Sequence, residues 1–377
     1  MIPKNGASNV VTQPPKRIRI AQIESGLAML WAQFNQANSG GHAVVMRACM
    51  SNLIIYCDTP QEAEIISQEI APIVDIHPAR ILLLVGNSKP SEGPLEASIA
   101  IYHTALDDGW QVCAERIDVI STTAGADRLP SVARSLLVGD LPTTLWWASR
   151  QPPPTAGEVF FQLAELANQI IYDNVGWLNP AQGVAAMTRW VAAQENTQIV
   201  HNLAWRRFAG WRKLISQVLD PQAAPSALES LHTIEIAHGP HALPMTWLLA
   251  GWLASQLKWQ AIDGKRFSDS ELIWRFKNNR QDIKVQVRRL PKGDPLIYHL
   301  LFDWSKPGHA GRICFERLDS ERIGIVEGLS TVPPRAFTAH VPERSTLVSA
   351  QLAQRNRDKI FENALKSSNA MTAVFHQ

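Results

Sequence analysis

The strongest constraint on how this chain folds is an alternation, from Ala43 to Ala193, of short β-rich apolar runs with segments of helical periodicity. Ala43–Cys57, Arg80–Val85, Pro142–Ala148 and Gln169–Tyr172 are bounded by turn residues and read as buried strands. Helices fall between them. Thr59 caps one that opens at Pro60 and runs towards Pro72, and Asp127 caps one that reaches Val138 and stops at Gly139. Two more span Ala156–Leu166 and Pro180–Ala193. Strands separated by helices require a mainly parallel sheet covered on both faces. Leu95–Ala105 and Trp110–Ile120, joined at Asp107-Asp108-Gly109, add one hairpin and make the sheet mixed.

The flanks differ. The first sixteen or so residues are rich in Asn, Gln, Pro, Ser and Thr and read as a flexible tail. Ile23, Leu27, Leu30, Trp31 and Phe34 then mark a short helix that ends at Gly40-Gly41. After residue 200 a single amphipathic helix is expected over Asn202–Leu219, with Trp205, Phe208, Trp211, Ile215 and Val218 on one stripe. A strand at Thr233–Ala237, an apolar helix at Leu243–Leu257, short strands from Glu271 to Phe337 and a helix over Pro342–Lys366 follow. The expected organisation is a tail and short helix (1–42), an α/β domain with a covered, mainly parallel mixed sheet (43–200), and an α+β domain with an antiparallel sheet (201–377).

Composition narrows the function. With 46% apolar and 19% charged residues in 377, the chain has the balance of a globular protein with two sizeable cores. No secretory leader is evident, and Ala242–Leu257 is too short to span a bilayer. Four cysteines without metal or disulfide spacing fit a reducing, cytoplasmic setting. Residues 1–200 carry 12 basic and 18 acidic side chains, and residues 201–377 carry 24 and 16, an asymmetry that can steer an acidic partner.

The motifs of catalysis are missing. No G-x-G-x-x-G follows a strand, and Gly264-Lys265 fails the phosphate-loop pattern because Trp259 and Arg266 stand where glycine and Ser/Thr are needed. There is no nucleophile elbow and no H-E-x-x-H. His238 and His241 flank Gly239-Pro240 and read as a turn, not a metal pair. Trp205 and Trp211 lie among Arg206, Arg207, Arg212 and Lys213, but their phase makes them packing residues, not a nucleic-acid stacking platform. The hairpin around Asn278-Asn279-Arg280-Gln281 places Arg275, Lys277, Lys284 and Arg288 on one solvent face, where water or an acidic partner relieves their repulsion.

Several blocks together resemble the glucose-6-phosphate dehydrogenase assembly protein family, OpcA. They are Arg47-Ala48-Cys49-Met50-Ser51-Asn52-Leu53, His77-Pro78-Ala79-Arg80, Leu129-Pro130-Ser131, and Gly139-Asp140-Leu141-Pro142-Thr143-Thr144-Leu145-Trp146-Trp147. Asn202-Leu203-Ala204-Trp205-Arg206, Trp211-Arg212 and Leu248–Leu253 extend them into the second half. The likeness departs from the family pattern at Asn202, Gly210 and Lys213. It implies a non-catalytic assembly factor and allosteric activator in the oxidative pentose phosphate pathway, without cofactor or metal. The implied partner is glucose-6-phosphate dehydrogenase, with thiol control and thioredoxin as a further partner; neither nucleic acid nor membrane is expected. The alternative readings are an enzyme or sensor that binds a sugar phosphate or nucleotide in the first α/β domain and a nucleic-acid-binding protein that uses the basic second half. Of the four cysteines, Cys314 shares strand parity with Arg312 and Glu316 and is the candidate reactive thiol, whereas Cys49 and Cys57, on one unbroken strand, would stand about 26 Å apart.

Overall fold

The computed structural model describes residues 10–375 except 13, 39–43, 48, 87–94, 106–109, 122–125, 195–197, 225, 279–280, 308 and 329–334. The first half is built from β1 (Val10–Thr12), β2 (Lys16–Ile18), α1 (Ile23–Asn38), β3 (Val44–Arg47), β4 (Asn52–Cys57), α2 (Pro60–Ile76) and β5 (Arg80–Val85). It continues through β6 (Glu96–Ala105), β7 (Trp110–Ile120), α3 (Leu129–Leu136), β8 (Thr143–Trp147), α4 (Glu158–Glu165), β9 (Gln169–Tyr172), α5 (Pro180–Ala193) and β10 (Ile199–Asn202). The strands form one sheet in the order β1-β6-β7-β5-β4-β8-β9-β10. From β7 to β10 every pairing is parallel, and β6 runs antiparallel on β7. This is the doubly wound, Rossmann-like order.

The alternation of side chains explains why β4 reads as wholly apolar. Ile54 and Tyr56 point into a core shared with α1, α3, α4 and α5, while Leu53, Ile55 and Cys57 point into a second core against α2. That second core is closed by Leu347, Val348 and Leu352 from near the end of the chain. α2 starts as expected, with Thr59 and Glu62 forming a reciprocal capping box and Pro60 in the first turn.

The second half contains α6 (Leu203–Arg207), α7 (Ala209–Val218), β11 (Leu231–His238), α8 (Leu243–Leu257), β12 (Gln260–Ser268), β13 (Glu271–Lys277), β14 (Asp282–Arg289) and β15 (Ile297–Lys306). β16 (His309–Arg317), β17 (Arg322–Glu327), β18 (Arg335–Thr338), α9 (Arg344–Leu352) and α10 (Lys359–Asn369) complete it. Its eight strands run β12-β13-β14-β11-β15-β16-β17-β18, antiparallel except for the parallel β11·β14 pair. Among the described residues, helices cover only one face. Trp274, Phe276, Val285, Phe302 and Phe315 are buried beneath that cover, and the alternate residues face outward. α8 is apolar all round because it lies between this sheet and α10. The two helices touch at Gly251, where a methyl group would run into Ala364 O and Ser368 Oγ.

Several expectations fail for identifiable reasons. Ala43–Cys57 is two strands: β3 extends the row of β5 along the long β7, after which the chain steps over to β4. The 26 Å separation of Cys49 and Cys57 rested on an unbroken strand and falls with it. Part of the supposed tail, Val10–Thr12 and Lys16–Ile18, pairs with β6. Asp127 caps nothing: α3 begins after Arg128 and ends at Leu136. The helix over 202–219 breaks at Phe208, whose φ of −96° and ψ of 20° end α6, and the last helix is two, with Asp358 capping the second. Gly40-Gly41 and the Asp107-Asp108-Gly109 turn lie outside the described residues.

Gly251→Ala tests the α8–α10 contact. It should lower unfolding free energy by about 1–3 kcal/mol through overpacking, read as a reduced urea midpoint with an unchanged slope.

Candidate functional site

In a sheet of this order, ligands bind beyond the carboxyl ends of the strands where the winding reverses, here between β4 and β8. A dinucleotide needs a glycine-rich turn there and free amides at the next helix. The chain instead offers Cys57-Asp58-Thr59-Pro60. The Asp58 and Thr59 amides both donate to Glu62 Oε2, at 3.0 and 3.2 Å, and the Glu62 amide donates to Thr59 Oγ1 at 3.2 Å. Ser149 Oγ donates to Asp58 Oδ2 at 2.6 Å across the switch point. Two carboxylates therefore stand at the amino end of α2, and the Asp58, Thr59 and Glu62 amides already have acceptors. The Tyr56 ring stacks on Trp147 at 4.3 Å. These residues do not fit a dinucleotide.

Beside this point a cleft of about 350 Å³ is lined by Trp146, Ser149, Arg150, Asp173, Arg207 and Arg344. Each arginine is engaged. Arg207 forms a two-pronged pair with Asp173 at 2.6 and 3.2 Å, Arg344 reaches Glu69 at 2.8 Å, and Arg150 Nε donates to Gly176 O at 3.1 Å.

Trp146 and Trp147 stand at this carboxyl end of β8, but most first-half residues that carry the family resemblance gather at the amino ends of the same strands. Asn52 Nδ2 donates to Val138 O at 3.0 Å and Thr143 Oγ1 at 3.1 Å, and its Oδ1 accepts from the Val138 amide. The Asn52 amide donates to Pro142 O, so one side chain and its backbone hold the loop through Asp140, Leu141 and Pro142. Asp140 takes a left-handed φ of 65°, which aspartate tolerates. Arg80 is buried, with Nε on Glu115 Oε2 at 2.9 Å and Nη1 on Glu24 Oε1 at 2.7 Å and Leu136 O at 2.8 Å. Trp31 Nε1 donates to the other Glu115 oxygen at 2.7 Å. Leu129 and Pro130 are buried in the first turn of α3, and Pro78 O accepts from the Met50 amide. Burial lowers the His77 imidazole below its usual range. Arg47 lies on β3, its side chain outside the described residues.

Trp205, Trp211 and Arg212 also hold the scaffold. The Arg212 guanidinium lies 3.5 Å over the Trp205 ring and burial brings it down to about 10, while Trp205 Nε1 donates to Asp358 at 2.8 Å. Both tryptophans are buried, so neither offers a ring to a nucleobase.

The solvent face of the second sheet is where the expected cations emerge. Arg275, Lys277, Lys284 and Arg288 are all exposed on it, with Arg275 opposite Lys284. Their repulsion is partly relieved within the protein: Arg275 is ion-paired with Asp263 of β12, Lys277 lies opposite Asp282, and Arg288 lies opposite Glu271. On the same face Cys314 is half-buried beside His299 and Glu316. Burial and Glu316 push its thiol up to about 11, which works against the reactivity its strand parity suggested. Burial and Glu62 push Cys57 up to about 12. The Cys113 side chain lies outside the described residues. His238 is buried, donates Nδ1 to Gly239 O at 2.7 Å and is held down to about 4 by burial, and His241 sits in the turn with a φ of 65°. Among the described residues no helix is long and apolar enough to cross a membrane.

Two family models match the chain, both describing one glucose-6-phosphate dehydrogenase subunit. Residues 71–189 match its N-terminal domain and residues 198–365 its C-terminal domain. A protein of Synechococcus elongatus that bears the name OpcA, after the OxPP cycle, is 22% identical over 94% of this chain and 95% of its own length. One of the same name from Nostoc punctiforme is 26% identical over 77% of this chain, which spans 64% of that relative. Among solved structures, an oxidoreductase domain protein from Kribbella flavida covers 87% of this chain, over 97% of its own, at 10% identity and a TM-score of 0.48. Biliverdin reductase from Synechocystis covers 86%, over 98% of its own, at 10% identity and 0.45. No chemistry follows from likenesses at that level.

Arg80→Met should remove the buried contacts of Arg80 to Glu115, Glu24 and Leu136 O and cost about 3–5 kcal/mol, measured by urea unfolding. Alkylation kinetics check the thiols. Cys57 and Cys314 should react more slowly at pH 7.5 than free cysteine in chelator-containing buffer, and speed up only as pH climbs towards their raised values of about 12 and 11.

Proposed function

The chain belongs to the OpcA family of glucose-6-phosphate dehydrogenase assembly proteins, and on that premise we propose that it is a non-catalytic partner that binds this dehydrogenase and activates it allosterically. The observation that carries the non-catalytic part is the closed amino end of α2, where Thr59, Glu62 and Asp58 use the groups a cofactor would need. A scaffold of this order without its phosphate cradle is left with its surfaces to act through.

Activation requires tighter binding to one state of the enzyme than to another, because equal affinity shifts nothing. A coupling of about 1–3 kcal/mol changes apparent substrate affinity about 5–150-fold. The exposed cations Lys277, Lys284 and Arg288 are the proposed contacts for an acidic face of the enzyme. Arg275 is already satisfied by Asp263 and contributes less. Thiol control and thioredoxin, which the family implies, find little support in Cys57 or Cys314, both of which resist ionisation.

Steady-state kinetics of the cognate dehydrogenase test this reading. The protein alone should reduce no NADP+, and added to the enzyme it should lower the apparent KM for glucose 6-phosphate within the range above; an unchanged curve at saturating protein sinks the proposal. The triple variant Lys277→Glu, Lys284→Glu, Arg288→Glu should bind more weakly, with a shallower dependence on salt. Unaltered affinity would assign that face to water.

A further inference from the structure

On the open face of the second sheet, β15 and β16 run in unbroken antiparallel register from His299↔Glu316 to Lys306↔His309. Cys314 and Glu316, two apart on β16, project to the same side, and His299 lies directly opposite Glu316 and diagonal to Cys314. Beneath them Leu300 and Phe315 point into the core and are fully buried, so the three residues stand on a rigid platform. A sulfur, a nitrogen and an oxygen thus converge from two strands. These are the donor types that thiophilic divalent cations combine.

The distances suit a metal as well as thiol hydrogen bonds to His299 and Glu316. Cys314 Sγ is 3.5 Å from His299 Nδ1 and 3.8 Å from Glu316 Oε1, and the imidazole nitrogen is 3.6 Å from that oxygen. The last separation is too long for an N–H···O hydrogen bond. It is close to an edge of a tetrahedron around zinc: bonds of about 2.0–2.3 Å set donors about 3.3–3.6 Å apart. A point about 0.7 Å off the plane of the three donors lies about 2.2 Å from each, the tetrahedral distance for edges of this length. A cation there would need almost no rearrangement.

We propose that His299, Cys314 and Glu316 form a three-ligand site for a divalent cation of the zinc type, with a fourth position open to solvent. The openness follows from exposure, since the His299 and Glu316 side chains are 30% and 54% accessible. The neighbouring charges are compatible. Arg312, next along the face, is held by Asp303 at 2.6 Å, and Glu235 on β11 lies opposite Leu301, one strand further in. The site is separate from the switch point and does not depend on the functional reading above.

The test uses the full reduced chain, stripped with chelator and titrated with Co2+. One equivalent should bind with a near-ultraviolet thiolate-to-cobalt charge-transfer band that Zn2+ abolishes by displacement. Cys314→Ser should lose the band, and His299→Ala and Glu316→Gln should each weaken binding at least about tenfold. Glu316 is exposed, so its variant keeps the fold, checked by circular dichroism and thermal unfolding without metal. The site is overturned if the parent gives no thiolate band. It is equally overturned if Cys314→Ser retains the band, which would move binding to another cysteine, or if the His299 and Glu316 variants bind as the parent does.

Discussion

The buried pair of Arg80 and Glu115 is the constraint around which the first sheet is arranged. Bringing two charges out of water costs several kcal/mol per ion, which an isolated pair does not recover. Here the cost is shared. Glu115 also accepts from Trp31, and Arg80 also reaches Glu24 and Leu136 O. These contacts tie β5 and β7 to α1 and to the end of α3, and the Asn52 bonds to Val138 and Thr143 bind β4 and β8 to the same loop. Each donor has one geometry that satisfies it, so the network sets the order in which elements can pack. A purely apolar amino end would tolerate sliding.

The carboxyl end obeys the opposite logic. Where enzymes of this order leave helix amides free, this chain closes them with Glu62 and Thr59. The positive end of α2 is then spent on stabilising its own helix. Residues that identify the family lie largely at the structural end, while the face with unspent capacity belongs to the second sheet, where exposed cations and the His299–Cys314–Glu316 group occur. The resemblance is carried by what holds the protein together.

Much of the fold is legible in the sequence. The buried strands Arg80–Val85 and Gln169–Tyr172, and the helices Pro180–Ala193 and Leu243–Leu257, can be read with their boundaries, because near-complete burial of the strands and of Leu243–Leu257 removes polar ambiguity and Pro180 marks the start of the other helix. The break at Phe208 and the split of Ala43–Cys57 cannot, since periodicity continues across a kink and an apolar run says nothing about which neighbour it pairs with. β12 escapes detection because its exposed edge has no alternation. The same gap hides part of the site. Strand parity places the four cations and Cys314 on the outer face, but Asp263 and His299 come from adjacent strands and appear only once register is known.

The closing of the second core by Leu347, Val348 and Leu352 has a consequence for synthesis. β4, β5 and α2 leave the ribosome early, yet the helix that finishes their cover follows β10 by about 140 residues, so the first sheet emerges with apolar surface bare on that side. Until α9 is made, that side of the amino-terminal half is open to chaperones and to premature association. A nascent chain stalled before residue 344 carries an open seam over this core.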